Sequence, residues 1–203
     1  MRCVGVIRLS NDPEWVLPIV QEVLNRVDGW CSQQDVLAMK VGLVEIIMNA
    51  IEHGNLAIGY ASKRRALADG SFEELLEQRQ RQEPYASRKV TVEYVCEAVQ
   101  ALFIVRDEGD GFNWRRVIDT YDRRNPLIPN GRGVLIAREH LDACVFNQRG
   151  NEVVLVKCFT SSTQRQQRGV AHGVIGSFRG SGDCSCVNGI DQLFVTQNIT
   201  DGY

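Results

Sequence analysis

The spacing of apolar positions along this chain changes several times, and each change marks an element. Val4, Val6 and Leu9 alternate in part with polar or small neighbours and predict a short first strand. Asn11-Asp12-Pro13-Glu14 reads as a helix start, with a capping residue ahead of proline. Trp15, Leu17, Ile19, Val20, Val23, Leu24 and Val27 suit a helix packed on one face, and Asp28-Gly29 ends it. Pro18 interrupts that pattern and offers a second start for the regular helix. Ser32, with Asp35 three residues later, predicts a capping-box start for a second helix that runs to Gly54. Its core stripe is Val36, Met39, Leu43, Ile47 and Ala50.

Residues 55–87 carry dense charge and few apolar side chains. They predict two short exposed helices, broken at Asp69-Gly70 and ended by Pro84. The period then becomes two. Val90, Val92, Tyr94 and Cys96 alternate, a turn falls near Glu97–Gln100, and residues 101–107 form a nearly continuous apolar strand, so this is a hairpin. A polar segment with two prolines reaches Asn130, and Gly131–Asp142 reads as a glycine-led helix. A second hairpin turns around Arg149-Gly150-Asn151. From Thr160 the composition shifts to polar linker residues, so one domain spans 1–160 and residues 161–203 form a loosely ordered Gly/Ser/Gln-rich tail. The order strand, helix, helix, insert, hairpin, helix, hairpin predicts an α/β (α+β) two-layer sandwich. Its sheet is mixed but mainly antiparallel, with helices on one face.

Composition narrows the class. The chain is 44% hydrophobic over 203 residues, enough for a core without staples. A net charge of -2 gives no basic footprint for nucleic acid or a membrane surface. The seven cysteines have no regular spacing, and Cys96 and Cys144 lie in strand-like runs as small hydrophobes. No stretch has the length of a membrane helix or a signal core, so the expected location is cytoplasmic with reduced thiols. Cys158, Cys184, Cys186 and His172 match no ordinary zinc spacing.

Three clusters carry candidate chemistry. Glu45, Asn49 and His53 follow i, i+4, i+8 spacing and share one helical face; the plain alternative is a solvated face. Asp107-Glu108-Gly109-Asp110-Gly111-Phe112 follows the most apolar strand, so Asp107 sits at a strand end where a carboxylate can enter a pocket. The alternatives are an acidic turn or a calcium loop, and a calcium loop needs more oxygen ligands. Asn130-Gly131-Arg132-Gly133 opens a helix, where backbone N–H groups can meet a phosphate. There is no GxxxxGK[ST] and no GxGxxG after a strand, so neither a P-loop nor a dinucleotide fold is supported.

Taken in order, ExxxNAxxHG, DxGxGF and GRGxxxA resemble the GHKL superfamily of ATPases, over roughly residues 4–158. NAIEHGN, the short span between the second and third motifs, and GNEVVLVK resemble its anti-sigma-factor serine kinase branch. The resemblance implies a histidine-kinase-like ATPase fold that binds ATP with Mg²⁺. It implies that Asn49 holds the metal, that Glu45 is the general base, and that Asp107 accepts a hydrogen bond from the adenine amino group. Gly109, Gly111 and Phe112 would lie along the base, Gly131, Arg132 and Gly133 would hold phosphates, and residues 113–130 would form a lid. His53 counts with the nucleotide-site residues, read as a hydrogen-bonding or packing residue rather than a titrating one.

The implied activity is transfer of the ATP γ-phosphate to a serine of a STAS-type anti-anti-sigma protein. A sigma factor or similar regulator is the other partner, and a homodimer is the assembly the resemblance suggests. A nucleotide-gated partner-binding module without kinase activity is the alternative. A histidine-kinase catalytic domain ranks last, because about thirty residues precede the second helix, too few for a helical dimerisation hairpin plus the first strand.

Overall fold

In the computed structural model, which describes residues 2–115 and 132–159, the period-two segments form five strands. These are β1 (Arg2–Leu9), β2 (Val90–Glu97), β3 (Gln100–Arg106), β4 (Ala143–Phe146) and β5 (Glu152–Cys158). They pair in the order β1-β2-β3-β5-β4. Every pairing is antiparallel, so the sheet expected to be mixed is uniform among the described strands.

The register explains the alternation. Leu9 and Ile7 sit opposite Val90 and Val92, and Val92 and Tyr94 sit opposite Val105 and Phe103. Val105 and Phe103 in turn face Val153 and Leu155, which completes the core side of the sheet. Val4 and Val6 point to the other face, where they are 60% and 63% exposed. That face is also apolar: Val4, Val95, Leu102, Val156 and Ala143 form one register row across all five strands. Val154 and Val156 are buried there among Leu102, Ile104, Ala143 and Val145.

Five helices accompany the sheet: α1 (Val16–Asn25), α2 (Gln33–Asn49), α3 (Tyr60–Asp69), α4 (Phe72–Arg81) and α5 (Arg132–His140). The first differs from its expectation. A 3₁₀ turn at Pro13–Trp15 precedes it, so the regular helix begins at Val16 and Pro18 falls harmlessly in its first turn. The buried face is Val16, Val20, Val23, Leu24 and Val27, while Trp15 and Leu17, expected inside, are 57% and 52% exposed. Asp12 supplies the cap by accepting from Glu14 N at 3.0 Å. That leaves Asn11 to turn inward.

The second helix starts with the expected capping box, in which Ser32 Oγ accepts from Asp35 N at 3.0 Å and Ser32 N donates to Asp35 Oδ2 at 3.2 Å. Met39, Leu43 and Ile47 are fully buried. Its end is not the regular run to Gly54 that the spacing predicts. The α-helix stops at Asn49 and widens into a π-helical turn over Ala50–Asn55, where Leu56 N donates to Ile51 O at 2.8 Å. A wide turn of this kind re-aims the side chains that follow it. Glu52 and Asn55 are consequently buried, at 2% and 0% exposure.

Both groups are satisfied. Glu52 pairs with Lys63 of α3. Asn55 Nδ2 donates to Asn11 Oδ1 at 2.7 Å, and its Oδ1 accepts from Glu108 N at 2.8 Å. Arg88 donates to the Asn55 carbonyl at 2.9 Å. Asn11 Nδ2 donates in turn to the carbonyls of Tyr85 and Arg88, at 2.8 and 3.0 Å. One buried amide thus ties together the end of the second helix, the start of the first, the approach to β2 and the loop after β3.

The two insert helices form as expected, with the break at Gly70, but they are not simple exposed decoration. Phe72, Leu75 and Leu76 pack against the core, and Gln80 donates to the Asn11 carbonyl at 2.8 Å. The described cysteines are free thiols. Burial pushes Cys96 and Cys144 each up to about 12, in keeping with an inert apolar role. Among the described residues, no helix is long and apolar enough to cross a membrane.

The Asn55 hub sets a stability expectation. Asn55→Ala strips partners from Asn11 and from the Glu108 N–H in a dry site, and should cost about 3 kcal/mol. Asp12→Ala, which removes only an exposed cap, should cost about 1 kcal/mol. Urea denaturation midpoints of the two variants measure the difference.

Candidate functional site

The wide turn and the loop after β3 face each other across a cavity. Ile46, Asn49, Ala50, His53 and Gly54 form its helical side, while Val105, Asp107, Gly111 and Phe112 come from β3 and its loop. Tyr60, Val134, Phe146, Gly150, Asn151, Glu152 and Val153 complete the lining. Apolar walls interrupted by a few convergent polar groups are the lining that suits a small organic ligand.

Asp107 is the polar group at the floor. It is 8% exposed, directly beyond the apolar strand that carries it. Its Oδ1 accepts from Gly109 N at 2.9 Å, while its backbone carbonyl accepts from Asn151 Nδ2 at 3.1 Å. Burial raises its pKa to about 6, against the lowering effect of the Gly109 N–H and of Arg149 and Arg88. A ligand that donates a hydrogen bond to this carboxylate would therefore relieve part of a desolvation cost already present.

The glycines set the shape. A Cβ on Gly54 would lie 2.4 Å from Asp107 Cγ, and one on Gly109 would lie 2.3 Å from the Gly54 carbonyl oxygen. The helix end and the acidic loop can approach this closely only because both lack side chains. Gly111 and Gly150 have φ of 78° and 84°, and each packs against the other's loop. A Cβ on Gly111 would meet Arg149 O at 2.2 Å, and one on Gly150 would meet Phe112 O at 2.2 Å. Phe112 N donates to Arg149 O at 3.1 Å, which locks the two loops. Phe112 stands edge-on to Phe146, with centroids 5.4 Å apart, and forms a side wall.

His53 closes the wide turn. Its Nδ1 lies 2.6 Å from the Ile58 carbonyl, so Nδ1 carries the proton, and its ring sits 4.2 Å from that of Tyr60. Burial lowers its pKa, which keeps it neutral and fits a packing and hydrogen-bonding part.

Glu45 and Asn49 stand one turn apart on α2. A Cβ on Gly133 would lie 2.7 Å from Asn49 Nδ2 and 2.7 Å from Glu45 Oε2. The first turn of α5 thus rests against these two side chains, and the second glycine of GRG is what permits that contact. Arg132 is exposed beside them. Among the described residues neither the Glu45 carboxylate nor the Asn49 amide has a hydrogen-bonding partner. Gly131 and most of the expected lid, residues 116–130, lie outside the described residues.

Motif reading reached most of this site but missed several residues. Gly54 and Gly150 stand within the quoted motifs, but their only assigned parts were a helix stop and a turn. Asn151 and Asn55 hold Asp107 and its loop, a part the motifs did not assign to them. The one available signal was local: Gly54 and Asn55 continue the NAIEHGN run, and Gly150 and Asn151 form the second hairpin turn.

Residues 9–157 match a family model described as the histidine kinase-like ATPase domain. No curated protein matches the chain significantly. The match spans the whole of the site, from Glu45 and Asn49 through Asp107 to the first turn of α5.

Two expectations follow from the floor of the cavity. Asp107 has a folded pKa above its unfolded value of 3.8, so its stabilising contribution is complete below about 4 and is lost as pH rises through about 6. Asp107→Asn should raise apo-protein stability at pH 8 by roughly 2 kcal/mol and have little effect at pH 4, as thermal melts would show. The same variant should weaken both ATP and ADP. Wild-type affinity should fall about tenfold from pH 8 to pH 5 while the variant shows no such step, as calorimetry would test. Gly54→Ala should displace the Asp107 carboxylate and lower nucleotide affinity at least tenfold, whereas Gly59→Ala, with open space around it, should leave affinity unchanged.

Proposed function

The chain belongs to the family of histidine kinase-like ATPase domains, and on that premise we propose that it is an ATP-dependent protein serine kinase of a partner-switching module. Its substrate is a serine of a STAS-type anti-anti-sigma protein. In the other nucleotide state it holds a sigma factor or similar regulator. ATP is the ligand that family membership implies. The observation that carries the kinase reading is Glu45: an unpartnered carboxylate beside Asn49 at the end of the nucleotide cavity, which a pure nucleotide binder does not need.

The residues fit Mg²⁺. Asn49 offers one hard oxygen donor, and this ion characteristically takes one or two protein ligands with phosphates and water completing its shell. When bound, the ion neutralises phosphate charge. Asp107 orients the nucleotide through the adenine amino group, and the apolar walls exclude water from the base. Glu45 is one helical turn from Asn49 and accepts the proton of the incoming serine hydroxyl. The serine oxygen forms a bond to the γ-phosphorus as the bond from that phosphorus to the β–γ bridging oxygen breaks, and ADP leaves. Positioning and charge neutralisation supply most of the rate in such a transfer.

The test is incubation of the protein with Mg-ATP and a STAS-type partner, with phosphoserine measured by mass spectrometry. Glu45→Ala should slow phosphoserine formation by about 100-fold or more while ATP affinity stays within about threefold. A stable, nucleotide-dependent complex without transfer in the wild type would identify a nucleotide-gated binding module instead.

A further inference from the structure

The nucleotide cavity continues past Asn49. A second hollow shares Asn49, His53 and Tyr60 with it and extends beyond Glu45 to Arg64, Arg132 and Gly133. One wall is the first turn of α5. The opposite wall is α3, part of the charged insert that the sequence predicts as two short exposed helices.

Three consecutive cations on α3 have different surroundings. Lys63 is committed to the buried Glu52 carboxylate. Arg65 lines a separate hollow on the other side of the helix, with Ser62 and Asp69. Arg64 lines the hollow beside Glu45 and, among the described residues, has no ion pair or hydrogen bond. Its guanidinium is therefore free for a ligand.

The direction of the nucleotide follows from the two ends of the site. Asp107 and Asn49 line the same cavity, and in the ATP-site reading Asp107 would hold the base while Asn49 would face the phosphate end. Each further phosphate must then extend toward Glu45, into the second hollow. The terminal phosphate of ATP arrives next to a carboxylate, an arrangement that needs a cation to offset the repulsion. A guanidinium presents paired N–H donors that match phosphate oxygens. We propose that Arg64 recognises the terminal phosphate of a nucleoside triphosphate, so that the insert helix α3 distinguishes ATP from ADP. This rests on the ATP-site reading and is independent of whether a serine is the acceptor.

Calorimetric titration of Mg-ATP and Mg-ADP into the full chain tests it, with Arg64→Ala, Arg64→Lys and Arg65→Ala. Arg64→Ala should weaken Mg-ATP about tenfold and leave Mg-ADP within about twofold, with partial recovery in Arg64→Lys. Arg65→Ala removes the same charge from the same helix and should change neither nucleotide. Equal losses for ATP and ADP in Arg64→Ala, no loss for either, or an equal ATP loss in Arg65→Ala would overturn the assignment while leaving the ATP site intact. A folded wild type that binds neither nucleotide would overturn the ATP-site reading, and this assignment with it.

Discussion

The fold around the site depends on one buried amide. Asn55 is fully buried, and each of its polar groups reaches a different part of the chain. A buried amide left without partners is expensive, so the segments that satisfy it are held in fixed relative positions. Those segments are the start of the first helix, the approach to β2 and the loop that carries Asp107. The α-helix must open into a wide turn for Asn55 to reach this position. A distorted helix end, which local propensity alone would not select, is thus stabilised by tertiary hydrogen bonds, and it brings Gly54 against Asp107.

With the loop fixed in this way, Asp107 can be held in a place it would otherwise avoid. A carboxylate in a mostly apolar pocket is destabilising to the folded protein above its raised pKa. The surrounding backbone tolerates this because the Gly109 N–H and the Asn151 side chain fix the loop before any ligand arrives. Such a site is preorganised: the cost of desolvating the acceptor is met during folding, and a hydrogen-bond donor on a ligand would regain part of it. The interlocked Gly111 and Gly150 serve the same end, since two loops with left-handed glycines seat against each other's carbonyls.

The other end of the site has a different character. Glu45, Asn49, Arg64 and Arg132 surround a more polar hollow. A mostly apolar floor and an open, charged end divide the site between two kinds of physics. The insert joins these two regions to the core through the Glu52–Lys63 pair, the apolar contacts of Phe72, Leu75 and Leu76, and Gln80.

The sequence by itself determined the two-layer class, the five strands, the capping box at Ser32 and the break at Gly70, because these depend on periodicity and on residues within a few positions of each other. It also grouped, through motifs in a fixed order, Asn49, His53 and Asp107, which line one cavity, with Glu45, which lines the hollow adjoining it. It gave the wrong partners for Trp15 and Leu17, because a 3₁₀ turn shifted the helix start and so rotated its buried face. Only the tertiary structure decided that α2 widens after Asn49, that Asn11 and Asn55 are one hub, and that Gly54, Gly133 and Gly150 are contact surfaces. Each of these is fixed by groups 33 or more residues apart. Hydrogen bonds and steric limits between distant segments leave no periodic trace in the chain, so no local pattern could disclose them.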